Sequence, residues 1–150
     1  MQNKSELILD AAEFVSYRTV TEVINLVSGN EYKAWMKGTW QGNGFRVWIP
    51  KLSMASDTED SAAGNGCVNK LSADWNELVY VNMQGKRTTH SEAYSGYEVV
   101  FAREPKNGNC IFRGIFVRDN ENSTGTRNVF RRVAAKAVIS GLPGNRKLMM

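Results

Sequence analysis

Arg103, Arg113, Arg118, Arg127, Arg131 and Arg132 recur at short intervals late in the chain, and Trp35, Trp40 and Trp48 crowd together early in it. A guanidinium offers a planar fork of N–H donors that fits phosphate, and an indole face stacks on any base. Combined, they describe a site for an anionic aromatic ligand, a nucleic acid or a nucleotide. The competing reading is structural, with tryptophans filling a core and arginines solubilising sheet edges. Trp40 and Trp48 favour binding, because Trp40 stands in a Gly-flanked loop and Trp48 is out of phase with the core-facing Phe45, Val47 and Ile49. Arg46 shares the face of Trp48. The candidate ligand-binding residues are Trp40, Arg46, Trp48, Arg103, Arg113, Arg118, Arg131 and Arg132.

Charge supports the same ligand class. Residues 1–100 carry nine Lys/Arg against twelve Asp/Glu, and residues 101–150 carry ten against three. A basic end on a slightly acidic body suits an anionic partner, although a solvated basic face has the same composition.

Catalytic chemistry finds less support. A Ser or Cys nucleophile needs a base, and His90 is the only histidine, in the polar run Thr88-Thr-His-Ser-Glu92. A small hydrolase using His90 is one alternative; a solvated surface histidine is the plainer reading. With one histidine and two cysteines, Cys67 and Cys110, a Cys/His metal site lacks ligands. Asp57, Glu59 and Asp60 lack the glycine that a calcium loop requires. No glycine motif joins a strand to a helix. No catalytic residue, metal or cofactor is assigned. The N-terminus lacks an uninterrupted apolar run and no segment of eighteen apolar residues occurs, so a cytoplasmic location with free thiols is expected.

The elements that must position these residues centre on Tyr97 to Asp119. Two Val-, Ile- and Phe-rich runs flank the turn Pro105-Lys-Asn-Gly-Asn109, which reads as a hairpin. Both runs are apolar on both faces, so both faces are expected to be covered. Upstream, Leu7, Ala11, Phe14 and Val15 suggest a first helix after Ser5. Thr19 to Glu22 has capping-box spacing before Val20, Val23, Ile24 and Val27, with Gly29 as the stop. Asn30 to Lys37 reads as a third short helix. Phe45 to Pro50 and Leu78 to Asn82 read as strands, Ser53 to Gly66 as an exposed loop, Val129 to Ile139 as returning strand, and Gly141 to Met150 as a frayed tail.

Tyr32-Lys-Ala-Trp35, Phe45 to Leu52, Tyr97 to Ala102, Phe112 to Asp119 and Val129 to Val133 occur in an order that resembles small PUA-like β-barrel domains of bacterial restriction and defence enzymes. The resemblance covers residues 30–140. It implies a curved antiparallel sheet and a pocket that reads a base or modified base, with Trp40 and Trp48 nearest by order to the pocket aromatics. The chain shows no attached nuclease or helicase, which implies a stand-alone binder, such as a phage or mobile-element protein.

The expectation is therefore a single α+β domain over residues 1–150. Helices over about 5–37 would pack on a strongly bent, mainly antiparallel sheet over about 43–140. Its function would be non-catalytic binding of a nucleic acid or nucleotide in phage–host defence or counter-defence. The alternatives are a protein-binding inhibitor of a host defence component and the His90 hydrolase. The partners expected are an anionic ligand or a host protein, with a homo-oligomer left open and no membrane.

Overall fold

The computed structural model describes residues 6–54, 56, 67–82, 96–124 and 126–149. In chain order these form β1 (Glu6–Asp10), a 3-10 turn (Ala11–Glu13), β2 (Ser16–Tyr17), α1 (Val20–Ser28), β3 (Thr39–Gln41) and β4 (Phe45–Trp48). There follow β5 (Cys67–Leu71), β6 (Glu77–Asn82), β7 (Tyr97–Arg103), β8 (Cys110–Arg118), β9 (Arg127–Ala134), β10 (Lys136–Ser140) and β11 (Lys147–Met149). The main sheet runs β3-β4-β7-β8-β9-β6-β5, with β2 added to β8, and a smaller sheet runs β1-β10-β11. All these pairings are antiparallel except β4 with β7.

The β7–β8 hairpin lies mid-sheet, as its two-sided apolar pattern requires. Val99, Phe101, Phe112 and Ile115 point to an outer core shared with Val23, Ile24 and Val27 of α1, Leu9 of β1 and Ile139 of β10. Val100, Ala102 and Phe116 point the other way, to a second core with Trp48, Leu78, Tyr80 and Phe130. That second core is the inside of a barrel. Trp48 on β4 and Phe130 on β9 have ring centroids 4.8 Å apart. Three strand spacings in a flat sheet would hold them about 14 Å apart. The sheet has rolled up, and Ser53 beyond β4 meets Asn69 of β5 through hydrogen bonds of 3.0 Å each way, closing the seam. Gly114 permits the bend in β8. Its φ is +129°, and a Cβ there would lie 2.7 Å from the Ala134 carbonyl oxygen.

The α+β expectation is corrected to a mainly β fold, because no layer of N-terminal helices packs on the sheet. Glu6–Asp10 is a strand: Leu9 faces the core and Ile8 faces outward, a period of two, and the strand pairs with β10. Residues 30–37 are irregular because α1 takes their backbone groups. Asn25 bonds both the N–H and the carbonyl of Tyr32, each at 2.9 Å, and Thr21 Oγ1 accepts from the Trp35 N–H at 3.0 Å. The C-terminal segment also departs from expectation, since β11 pairs with β10. The strands expected at Phe45 to Pro50 and Leu78 to Asn82 are present as β4 and β6, and the one expected over Val129 to Ile139 is divided into β9 and β10, which belong to different sheets. The 57–66 part of the expected loop, Lys86 to Thr89 and His90 lie outside the described residues. Among the described residues no helix is long and apolar enough to cross a membrane, and Cys67 and Cys110 are free thiols.

Helix α1 starts and stops where its sequence indicates. Thr19 Oγ1 accepts from the Glu22 N–H at 3.0 Å, and the Glu22 carboxylate accepts from the Arg18 N–H at 2.8 Å. At the other end Gly29 adopts φ +76°, and the Arg146 guanidinium donates to the carbonyls of Leu26 and Val27 at 3.0 and 3.2 Å. A Cβ on Gly29 would approach that guanidinium to 2.9 Å. Gly29→Ala should therefore lower stability by about 1–2 kcal/mol in urea unfolding, the cost of a left-handed non-glycine residue, with the displaced cap added. An unchanged midpoint would mean that Gly29 does not hold the left-handed stop that ends α1.

Candidate nucleic-acid interface

Three turns meet on one side of the barrel. The β5–β6 turn is shaped by Asp74, whose carboxylate accepts from the Ser72 hydroxyl at 2.7 Å and the Asn76 N–H at 2.9 Å. Those bonds, Ser72 first, hold the Asp74 carboxyl below its ordinary range, so it is an anionic acceptor at neutral pH. The turn leaves Trp75 at φ +63°. In the turn after β1, Asp10 caps the 3-10 segment through the Ala12 N–H, and the chain leaves it at Phe14 with φ +54°. The third turn is the β9–β10 corner at Ala135. Backbone bonds tie the three together: Ala11 N–H to the Ala135 carbonyl at 2.9 Å, and Arg132 N–H to the Asn76 carbonyl at 2.9 Å.

Between them lies a pocket of about 460 Å³, lined by Ala11, Phe14, Asp74, Trp75, Arg132 and Ala135 among others. That volume suits a small aromatic ligand. Phe14 is 62% exposed and meets the Trp75 ring edge-on at 5.1 Å. The Arg113 guanidinium lies 4.4 Å from the Trp75 ring centroid. Arg132 spends two donor contacts on the carbonyls of Arg113 and Asp74, at 3.1 and 3.5 Å, and among the described residues it has no carboxylate partner. Phe14 and Trp75 are the non-glycine residues with positive φ among those described, and both line this pocket. Such conformations cost about 1–3 kcal/mol each and gather at functional sites.

Of the eight residues expected from the sequence, the pocket brings together Arg132, in its wall, and Arg113, against its tryptophan. The others are placed elsewhere. Trp48 is 3% exposed and packs on Tyr80 and Phe130 inside the barrel, so its out-of-phase position reflects a second core. Arg46 is buried there in an ion pair with Glu98. Trp40 is half-buried, its indole N–H 3.4 Å from the Tyr32 hydroxyl. Arg103 donates to the Gly108 carbonyl at 3.2 Å, and Arg118 to Asn128 at 2.9 Å. Arg131 bridges Glu77 and Asp119 at 2.5 and 3.1 Å. Phe14, Asp74 and Trp75 were not singled out from the sequence. The available signal was a tryptophan inside Ser-Ala-Asp-Trp-Asn, a run of turn-forming residues; its ring is half-buried, with part of it packed against the outer core. Among the described residues no three His, Cys, Asp or Glu side chains gather as metal ligands.

A family model for the SET and RING associated (SRA) domain matches residues 2–139. This chain belongs to the SRA family. SRA domains are PUA-like barrels that bind DNA, so the PUA-like resemblance holds and the chain stands among nucleic-acid-binding modules. Among solved structures, this SRA chain is similar to "The 5-Hydroxymethylcytosine-Specific Restriction Enzyme AbaSI" with a TM-score of 0.66 and 18% identity. The match covers 86% of this chain and 41% of that one, and it shows a shared fold. No curated protein matches the sequence.

Proposed function

We propose that this SRA domain reads a modified cytosine in DNA by admitting the base, turned out of the helix, into the Phe14–Trp75 pocket. The observation that carries the reading is the pair of strained aromatics lining one pocket beside a fixed carboxylate and an arginine that has no carboxylate partner among the described residues. A base cannot be read on all its edges inside a duplex, and an extruded one is held by aromatic stacking and by bonds to its pairing edge. Asp74 supplies an acceptor for the cytosine amine, and Arg132 has N–H donors left for a carbonyl, a substituent oxygen or a phosphate. A part in restriction-type defence or counter-defence belongs to the same proposal. DNA cleavage does not, because it is stated of the similar enzyme as a whole.

The test is fluorescence anisotropy with matched duplexes carrying cytosine, 5-methylcytosine or 5-hydroxymethylcytosine at one position. Trp75→Ala should weaken binding of the preferred duplex by about 1–3 kcal/mol while leaving the salt slope unchanged, since stacking releases no counterions. Arg132→Gln should flatten the log–log salt slope by about 0.9 if that guanidinium meets a phosphate. Equal affinity for the three duplexes, or a Trp75→Ala variant as selective as the parent, would sink the reading. If no duplex binds tighter than about 10⁻⁴ M at physiological salt, the protein-inhibitor alternative takes its place.

A further inference from the structure

We infer that Arg113 is the positioning residue for Trp75, and that Glu104, by holding Arg113, governs how sharply the pocket separates a modified base from an unmodified one. The inference rests on the pocket being the base site.

Arg113 sits on β8, 4% exposed, with its guanidinium against the Trp75 ring. Its Nη2 donates to Glu104 Oε2 at 2.6 Å, while its buried Nε has no hydrogen-bond partner among the described residues. A buried cation with an unmet donor is costly, and an aliphatic side chain would pack against an indole without that cost. Arginine at this position adds a rigid charged plane to the face it covers. Trp75 needs such support. Its left-handed backbone is not one that tryptophan prefers, so neighbours must hold the ring in place. Phe14 fixes it from one side, edge-on at 67°, and Arg113 stacks against it from β8.

Glu104 is itself anchored. It opens the β7–β8 loop, where its N–H bonds the Asn109 carbonyl at 2.8 Å and its carbonyl accepts from the Gly108 N–H at 2.9 Å. Position therefore passes from the loop through Glu104 and Arg113 to the ring lining the pocket. A substituent on the base must fit beside that ring, so a displaced indole degrades discrimination. Contacts to the DNA backbone do not sense it.

Two readouts test this, one of which needs no DNA. The near-ultraviolet circular dichroism of each protein, minus that of its Trp75→Phe counterpart, reports the environment of Trp75 alone. Duplexes with cytosine or 5-hydroxymethylcytosine report selectivity as a ratio of affinities. Glu104→Ala and Arg113→Lys should shrink the Trp75 signal and reduce the ratio about tenfold, and Glu104→Ala should keep affinity for the unmodified duplex within about twofold. Glu104→Gln, still an acceptor, should keep most of both. Arg113→Met should behave like Arg113→Lys; should it fail to fold, the Glu104 variants decide. Variants that keep the parent's ratio overturn the inference and leave the base site standing. If the parent shows no preference, the base site fails and the selectivity claim falls with it. The Trp75 signal then decides the positioning claim alone: a reduced signal upholds it and an unchanged one overturns it.

Discussion

Replacing Arg46 by methionine is expected to lower stability at neutral pH by about 3–5 kcal/mol, because it leaves a carboxylate inside the barrel without its cation. Arg46 and Glu98 face each other across the parallel β4–β7 pair, on the side of the second core. The Arg46 Nε donates to Glu98 Oε1 at 2.9 Å, and Nη2 donates to Oε2. Their side chains are 8% and 1% exposed. Burial pushes the Glu98 carboxyl above its ordinary range, and the hydrogen bond and charge of Arg46 pull it partly back. Without Arg46 that counter-pull is gone. An acid whose folded pKa lies above its unfolded one favours the fold when protonated. Stability of the variant should thus be greatest in acid and fall as pH rises from the ordinary carboxylate range, about 4.5, to the raised folded value. Urea midpoints at several pH values measure this. Arg46→Met with Glu98→Leu should recover most of the loss and lack the pH trend. A single variant losing under about 1 kcal/mol, or a double variant as unstable as the single, would remove the pair from the barrel's stability.

Phe112→Ala should cost about 3–5 kcal/mol, the range for truncating a buried phenylalanine. Phe112 is on β8, the strand bonded to β7 on one side and β9 on the other, and its ring lies 5.4 Å from Phe101 of β7. The outer core over it is closed by α1, β1 and β10, which are tied down at separate places and cannot collapse together into the space left. Equilibrium unfolding measures the loss. A value under 1 kcal/mol would make the hairpin peripheral, against its place mid-sheet.

The two substitutions probe opposite faces of one sheet. They also separate the scaffold from the pocket, whose lining comes from turns outside the barrel interior. A Trp75 variant should leave the pH trend of the Arg46→Met protein intact, since Trp75 carries no titrating group and lines a pocket outside the barrel interior.

Several elements were legible in the sequence because their determinants are local. The hairpin declares itself by apolar residues on both faces around Pro105 to Asn109. Helix α1 declares itself by Thr19, Glu22 and Gly29, each within reach of the backbone group it satisfies. The order of the aromatic strands carried the PUA-like resemblance. Other elements were not legible, since their hydrogen-bond partners are distant in sequence. Glu-Leu-Ile-Leu-Asp followed by two alanines fits a helix as well as a strand, and β10, about 130 residues away, decides between them. Residues 30–37 lose their helix to the side chains of Thr21 and Asn25. Arginine roles divide for the same reason. Composition counts a charge, but only the tertiary structure shows that Arg46 and Arg113 are buried on carboxylates and that Arg131 bridges two of them. The same structure leaves Arg132 at the pocket. Sequence alone thus determined a basic, aromatic chain whose strand order resembles a PUA-like barrel. The site itself depends on three turns, at residues 11–14, 72–76 and 132–135, which the closing of the sheet brings together.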